Sequence, residues 1–144
     1  MERNYSNILV AVDGSNEAKK ALLKAIDVAK KDHAKVIITH IVDTRTFATV
    51  EQYDRAIVTR AEEYAKDMLS EYKAIVEKAG IETTCVLDFG SPKVKVSKDI
   101  AKKYEVDLII TGATGLSAIE RLLIGSVSEY IARTAKCDVL IVRN

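Results

Sequence analysis

Short apolar runs alternate along the chain with longer stretches in which apolar residues recur at helical spacing. The short runs are rich in β-branched residues, which predicts five strands, at residues 7–12, 36–42, 82–88, 106–111 and 138–142. Most of these runs are almost uniformly apolar rather than alternating with polar residues. We therefore predict strands that are buried on both faces of a parallel sheet.

Helical periodicity fills the segments between these strands. The longest such pattern runs from residue 51 to residue 79 and stops at Gly80, and it places Tyr64, Met68 and Tyr72 at core spacing. Shorter helical patterns cover residues 18–29, 96–104 and 127–135. We predict four helices, with residues 43–50 and 112–124 as the principal loops.

Two short sequences predict where helices begin. In Gly90-Ser91-Pro92, Ser91 is a good helix cap and Pro92 suits the first helical position. Ser126 can cap the last helix in the same way. Near the start of the chain, Asp13 and Ser15 are equally well placed to cap the first helix.

The order of elements is βαβαβαβαβ, which is typical of an α/β protein. Apolar strands joined by helical crossovers predict a three-layer α/β/α sandwich with a doubly wound parallel sheet. No linker, repeat or low-complexity segment interrupts the 144 residues, so we expect one domain over residues 1–144.

Composition excludes several classes of protein. The net charge of +1 provides no field to attract nucleic acid or an anionic membrane. No run of eighteen apolar residues and no signal peptide is present, so we expect a cytoplasmic protein without a membrane span. Cys85 and Cys137 lie in apolar runs and are expected to be reduced core residues.

Candidate chemistry lies after the strands, because ligands of open parallel sheets bind at the carboxyl ends of the strands. Asp13-Gly14-Ser15 follows the first strand, Asp43 the second and Gly90 the third. The fourth strand is followed by a stretch, residues 112–126, that holds half of the six glycines.

The glycine-rich stretch suggests a phosphate site. Glycine permits close backbone approach to a ligand, and Gly125-Ser126 stands where the N–H groups of the last helix favour an anion. Ser126 and Ser128 could add hydroxyl donors. No lysine follows Gly125, which excludes a Walker A loop, and no dinucleotide fingerprint follows the first strand. Turn formation by Gly112 and Gly115 and simple helix capping remain alternatives.

The histidines do not indicate catalysis. His33 is expected to be a solvated residue at a helix end, and His40 a partly buried strand residue. No third group completes a Ser/His/Asp set, and no spacing suits zinc.

The pattern G-x-x-G-(nine residues)-G-S, here Gly112, Gly115, Gly125 and Ser126, resembles the nucleotide motif of the universal stress proteins. The similarity extends over the whole chain, in six ordered blocks: ILVAVDGS at 8–15, HIVD at 40–43, GSP at 90–92, DLIITG at 107–112, GLSAIERLLIGSVSEYI at 115–131 and CDVLIV at 137–142. Because the glycine pattern is complete, the chain is similar to the ATP-binding class of that family.

The resemblance implies a Rossmann-like fold, similar to the adenine nucleotide alpha hydrolases, with five parallel strands in the order 3-2-1-4-5. In that order the ends of strands 1 and 4 are neighbours, so Asp13 and Gly112 would flank one crevice. The last strand, 138–142, would lie at an edge without lysine or proline to protect it. The family resemblance implies a homodimer through this strand.

The resemblance also implies roles for single residues. Ala11, Val12 and Asp13 would line the nucleotide, and the backbone of Val42 would pair with adenine. The residues around ribose and phosphates would be Gly112, Ala113, Gly115, Gly125, Ser126, Val127 and Ser128. Asp13 would be the carboxylate near a phosphate-bound Mg²⁺.

One departure from the family pattern bears on the ligand. Ala113 and Thr114 stand where many members carry a basic or imidazole side chain. Phosphate binding would then rest on backbone N–H groups and hydroxyls, and the resident ligand could be ATP, ADP or AMP.

Three functions are open at this point. The first is a nucleotide-dependent regulatory or stress-response protein whose protein partners are unknown. The second is an enzyme of the same fold, a slow ATPase or a nucleotidyl-transfer protein. The third is an interaction module with a vestigial site. Phosphoryl transfer normally uses Lys or Arg aimed at the phosphates, and the loop has neither between its first two glycines, although Arg121 could reach in. This favours the first function.

Overall fold

The computed structural model describes residues 4–44, 55–113 and 124–143. Their elements in chain order are β1 (Asn7–Ala11), α1 (Asn16–Asp32), β2 (Lys35–Asp43), α2 (Arg55–Lys78), β3 (Thr83–Gly90), α3 (Pro92–Val94), a π-helical segment (Lys95–Ile100), α4 (Ala101–Lys103), β4 (Leu108–Gly112), α5 (Ser126–Thr134) and β5 (Asp138–Val142). This order confirms the predicted alternation of strands and helices.

The five strands form one sheet in the order β3-β2-β1-β4-β5, and every neighbouring pair is parallel. The central strand is β1, which pairs Ile8 with Val36 of β2 and with Leu108 of β4. The strand order reverses between β1 and β4, so the crevice of this open sheet lies at the ends of these two strands.

Two hydrophobic cores lie on opposite faces of the sheet, because successive side chains of a strand point to opposite faces. Ile8 and Val10 of β1 enter the core beneath α1 and α2, whereas Leu9 enters the core beneath the π-helical segment and α5. All three side chains are fully buried. The sheet is therefore covered on both faces, as the uniformly apolar runs predict.

Several boundaries differ from the sequence prediction. β3 continues to Gly90, and β4 begins at Leu108 and continues to Gly112. Val106, predicted as strand, lies before β4 but is buried at 9% exposure. Within the 51–79 pattern, α2 begins at Arg55 among the described residues. Of the predicted loop of residues 43–50, Asp43 belongs to β2, and residues 45–50 lie outside the described residues. The predicted third helix contains a central π-helical segment.

The predicted caps have mixed outcomes. Ser15 is the cap of α1, and its Oγ accepts a hydrogen bond from the Ala18 N–H at 3.1 Å. Ser91 is in the cap position before Pro92 but makes no capping hydrogen bond with its side chain. The prediction for Ser126 is wrong: Gly125 is the cap of α5, and Ser126 is the first helical residue.

The prediction that Tyr64 lies in the core is also wrong. Met68 and Tyr72 are buried, but Tyr64 is 58% exposed, and its hydroxyl lies over Gly14 in the turn after β1. Within the three described stretches, no helix is long and apolar enough to cross a bilayer.

Candidate functional site at the ends of β1 and β4

Short hydrogen bonds join the end of β4 to the start of α5. The Ser128 hydroxyl donates to the Gly112 carbonyl at 2.6 Å, and the Gly125 N–H donates to the Ala113 carbonyl at 2.7 Å. The Ala113 N–H donates to the carbonyl of Val142 in β5 at 3.0 Å. These bonds hold the first turn of α5 against the carboxyl edge of the sheet.

The first turn of α5 has open backbone donors. Gly125 caps the helix with extended backbone, φ −63° and ψ 157°, and provides no side-chain cap. The N–H groups of Ser126, Val127 and Ser128 make no hydrogen bond to any part of the chain that the structure describes. The positive end of the α5 dipole adds to these donors, so an anion would be stabilised here.

The side chain of Ser128 has a structural role. Ser128 is 5% exposed, and its hydroxyl hydrogen is already donated to Gly112. Of these two serines, Ser126 is exposed, and its hydroxyl makes no hydrogen bond with the described residues. The expectation that both serines could supply hydroxyl donors therefore reduces to Ser126.

Close packing explains the glycine at position 112. A Cβ added there would lie 3.0 Å from the backbone carbonyl carbon and oxygen of Glu17 in α1. Such a contact is too short for a neighbour that cannot rotate away. Gly112 thus brings β4 and α1 together, and neither Gly112 nor Gly125 has a positive φ.

The turn after β1 is closed by its own side chains. Oδ1 of Asp13 accepts a hydrogen bond from the Ser15 N–H at 2.9 Å, and Gly14 between them has φ +85°. Oδ2 of Asp13 makes no hydrogen bond within residues 4–44, 55–113 and 124–143. Asp13 thus shapes the turn with one oxygen and keeps the other for a further contact.

The backbone of Val12 is occupied by protein contacts. Its N–H donates to the Thr39 carbonyl at 2.9 Å, and its carbonyl lies 2.7 Å from Nδ1 of His40. Because a carbonyl oxygen only accepts, Nδ1 of His40 carries the proton. Val12 is buried at 4% exposure, so it can contribute shape to the site but no free backbone group.

His40 stops the hydrogen-bond ladder between β1 and β2. A continued parallel ladder would join the Ile41 N–H to the Val12 carbonyl, but His40 takes that acceptor. β1 ends at Ala11, opposite Thr39, whereas β2 stays paired with β3 as far as Asp43. The last residues of β2 consequently extend beyond β1, and no strand of the described residues pairs with them on that side.

In this extension of β2, the backbone N–H and carbonyl groups of Ile41 and of Val42 point in opposite directions. Thr39 turns its carbonyl to β1, whereas Val36 turns its N–H to Glu82 on the β3 side. Because these directions alternate along a strand, the backbone groups of Ile41 face the gap beyond β1 and those of Val42 face β3. Ile41 is not among the residues predicted from the sequence, because a uniformly apolar run does not show which backbone groups face which neighbouring strand.

The described residues thus bring together most of the predicted site. Ala11 and Asp13 lie at the end of β1, Ala113 follows β4, and Val127 packs into the core beneath α5. Gly115, Thr114 and Arg121 lie outside the described residues. The site roles predicted for these positions remain predictions.

A metal would depend on Asp13 together with a bound ligand. No group of three or more His, Cys, Asp or Glu side chains that could hold a metal occurs in the described parts of the chain. Mg²⁺ in proteins often uses one carboxylate plus phosphate oxygens and waters. Oδ2 of Asp13 fits that single role, at the edge where an anion would lie.

Neither Cys85 nor Cys137 forms a disulfide within the described residues. Cys85 on β3 lies 3.5 Å from the Leu69 carbonyl, and burial raises the pKa of its thiol, with a smaller opposing effect of Lys73. A raised pKa keeps Cys85 protonated and unreactive.

The geometry defines an open-sheet α/β protein in which α5 starts beside the topological switch point of the sheet. The universal stress protein family model matches residues 4–143. A protein of Staphylococcus haemolyticus (strain JCSC1435) that carries the universal stress protein name is 46% identical over 140 residues, which cover 96% of this chain and 85% of that protein. The chain belongs to the universal stress protein family.

Solved structures of the same family have the same fold. The universal stress protein UspA from Lactobacillus plantarum matches with a TM-score of 0.86 at 27% identity, over 99% of this chain and all of that chain. A universal stress protein solved in complex with cAMP matches with a TM-score of 0.75 at 26% identity, over 97% of this chain and 98% of that one.

Proposed function

We propose that the chain binds an adenine nucleotide at the ends of β1 and β4 and acts as a nucleotide-dependent regulatory protein in the stress response. The observation that carries this proposal is the first turn of α5, where three adjacent N–H groups face the crevice without a partner in the described residues. The complex of a family member with cAMP supports an adenine nucleotide as the ligand.

The base would lie beside the extension of β2. Adenine offers an acceptor at N1 and a donor at N6, and the backbone of Ile41 offers the matching N–H and carbonyl. Val42 instead turns its backbone groups toward β3, so we assign the backbone contact to Ile41 and leave Val42 as a lining residue. Selection of adenine would follow from this donor and acceptor pair.

The phosphates would lie at the α5 start, where Gly125 allows close approach and Ser126 adds a hydroxyl. We propose that ATP, with ADP and AMP as the other candidates, binds there with Mg²⁺ held by its phosphates and Oδ2 of Asp13. The metal would neutralise phosphate charge. This chain would contribute one carboxylate oxygen and the backbone donors of the helix start.

Identification of the resident ligand tests the function. The purified protein is denatured, and released nucleotides are separated by chromatography; we expect an adenine nucleotide. Calorimetric titration with ATP, ADP, AMP and GTP then gives the affinities. Equal affinity for ATP and GTP would contradict the assigned base contact, and no binding of any nucleotide would contradict the function.

We further propose a cytoplasmic, single-domain protein over residues 1–144 that forms a homodimer through β5. β5 is the last strand of the sheet and pairs only with β4 among the described residues. Ile141→Pro would remove a backbone donor from that edge. We expect light scattering at micromolar concentration to give a dimer for the wild type and a monomer for the variant, and a monomeric wild type would contradict the proposal.

A further inference from the structure

A single imidazole lies at the point where β1 and β2 separate. The last regular bond between these strands runs from the Val12 N–H to the Thr39 carbonyl at 2.9 Å. The next contact is made by a side chain, since Nδ1 of His40 donates to the Val12 carbonyl at 2.7 Å. His40, which is half-buried, thus occupies the acceptor at which the next ladder bond would end.

The backbone N–H of Ile41 has no ladder partner. In a continued parallel ladder it would donate to the Val12 carbonyl, but that bond is absent, and Ile41 makes no other hydrogen bond toward β1 among the described residues. Ile41 is only 6% exposed. Backbone N–H groups of buried residues are normally paired, so this N–H is a donor that a ligand can use.

The neighbouring strand on the other side holds this N–H in place. β2 stays in register with β3 through the pairs Val42 with Phe89 and Asp43 with Gly90. Ile41 lies within this paired stretch, so its backbone keeps the direction of a regular strand. The free N–H therefore has a fixed orientation, toward the space beyond the end of β1.

Two features of the chain could keep this N–H free, namely the imidazole and the turn that Asp13 closes after β1. The turn begins only after Val12, whose N–H still pairs with β2. The carbonyl of Val12 also still faces β2, since it reaches the side chain of His40. The imidazole is thus the group that stands between this carbonyl and the Ile41 N–H.

We propose that His40 is a positioning residue for base selection. Its Nδ1–H group binds the Val12 carbonyl and thereby keeps the Ile41 N–H for N1 of adenine. Guanine carries hydrogen at N1 and would place a donor against this donor, so the same arrangement disfavours guanine. The inference rests on the proposed function and adds to it the side chain that sets the preference for the base.

Two substitutions of similar size separate the hydrogen bond from the packing of the imidazole. His40→Asn keeps an amide nitrogen on Cγ, where the imidazole has Nδ1, whereas His40→Leu places a methyl group there. After bound nucleotide is removed, amide hydrogen exchange at Ile41 is followed by NMR. Exchange should be slower by roughly tenfold or more in His40→Leu, because the ladder bond to Val12 can now form, and unchanged in His40→Asn.

The effect on the base is measured by calorimetric titration with adenosine and with 1-deazaadenosine, in which a C–H group replaces N1. The wild type should prefer adenosine about fivefold, as expected for one hydrogen bond between neutral groups. This preference should disappear in His40→Leu and persist in His40→Asn. A role of His40 in packing alone would weaken both nucleosides equally and leave their ratio unchanged.

His33→Asn is the matched control, because His33 ends α1 with φ 56°, a conformation that asparagine tolerates. It should change neither the exchange at Ile41 nor the preference for adenosine. Thermal unfolding checks that each variant is folded. If His40→Leu does not fold, His40→Val, with a residue favoured in strands, replaces it with the same expectations.

Wild-type exchange at Ile41 and an unchanged nucleoside ratio in the folded His40→Leu variant would show that the turn keeps the N–H free, and would overturn the inference. Equal binding of the two nucleosides by the wild type would overturn it as well, since N1 would then make no contact. A wild type that binds neither nucleoside would contradict the proposed function, and the exchange rates at Ile41 would still decide whether His40 keeps that N–H free.

Discussion

Helices α1 and α5 both begin at the carboxyl edge of the sheet, but their first turns are completed in different ways. In α1, Ser15 caps the Ala18 N–H and Asp13 binds the Ser15 N–H, so the turn is closed by its own side chains. In α5, Gly125 provides no side chain, and the next three N–H groups have no partner in the described residues. The start of α1 thus has a side-chain cap on one N–H group, whereas the start of α5 has none among the described residues.

The difference separates stability from binding. Free donors at a helix start are satisfied by a cap, by water or by a ligand. Closing α1 internally secures the turn that carries Asp13, and leaving α5 open keeps donors for an anion. If this comparison is correct, substitutions at α1 should mainly change stability, and substitutions at α5 should mainly change nucleotide affinity.

The largest expected effect is at Gly125. Gly125→Val places a branched Cβ where the ligand must approach the backbone, and we expect nucleotide affinity to fall by about a hundredfold or more, equal to about 2.7 kcal/mol. The thermal midpoint should change little, since the backbone there has φ −63°, which valine can adopt. Calorimetric titration with ATP measures the loss of affinity. Unchanged affinity would contradict the proposal that the open N–H groups at the start of α5 bind the nucleotide.

Gly112 tests the contact between the two helix starts and the sheet. Gly112→Ala places a Cβ 3.0 Å from the backbone of Glu17, and we expect a loss of about 1–3 kcal/mol in the free energy of unfolding. Chemical denaturation measures the loss. Gly80→Ala is the control for backbone strain alone, because nothing lies within 4 Å of its Cβ position although its φ is +81°. A cost below that of Gly80→Ala would disprove the packing role.

Ser15 and Ser126 form a matched pair of serines. Ser15→Ala removes the α1 cap and should lower the free energy of unfolding by about 1 kcal/mol, with nucleotide affinity unchanged. Ser126→Ala removes no cap and should change stability by less than about 0.5 kcal/mol, while it lowers nucleotide affinity. Denaturation and calorimetry on both variants give the four values. A loss of nucleotide affinity in Ser15→Ala together with a loss of stability in Ser126→Ala would contradict the distinction between the two helix starts.

The smallest effect is expected at Asp13, which is expected to contribute both to stability and to nucleotide affinity. Asp13→Ala should weaken binding of Mg-ATP by several-fold and leave binding of adenosine nearly unchanged, because adenosine brings neither phosphate nor metal. Calorimetry with the two ligands measures the ratio. Equal losses for both would mean that Asp13 serves only the turn through Ser15.

The sequence predicted the elements of this fold better than the contacts of the site. Uniformly apolar strands and helical periodicity depend on burial, which leaves a pattern along the chain, and the strand order followed from the resemblance. Hydrogen bonds between distant residues leave no such pattern. The bond from Ser128 to Gly112 and the blocking of the β1 ladder by His40 are therefore visible only in the structure.

Element ends were also harder to predict than element types. Ser126 has the residue type of a cap, but the extended backbone at Gly125 sets the start of α5 one residue earlier. Tyr64 continues the core spacing of α2, but spacing does not show that its hydroxyl lies over Gly14 with the side chain exposed. Both errors have the same cause: residue type and helical period do not determine where a residue lies in three dimensions.

The central position of β1 sets the order of events during synthesis. Residues 7–11 leave the ribosome before β4, and their pairing with β4 and the bond from the Asn7 N–H to Asp107 span about 100 residues. Contacts of such sequence separation slow folding, and the sheet cannot close until β4 has emerged. The nascent chain can pair β1 with β2, and β2 with β3, before β4 is available, so one edge of β1 stays unpaired until β4 has emerged. The crevice between β1 and β4 is consequently among the last parts of the molecule to form.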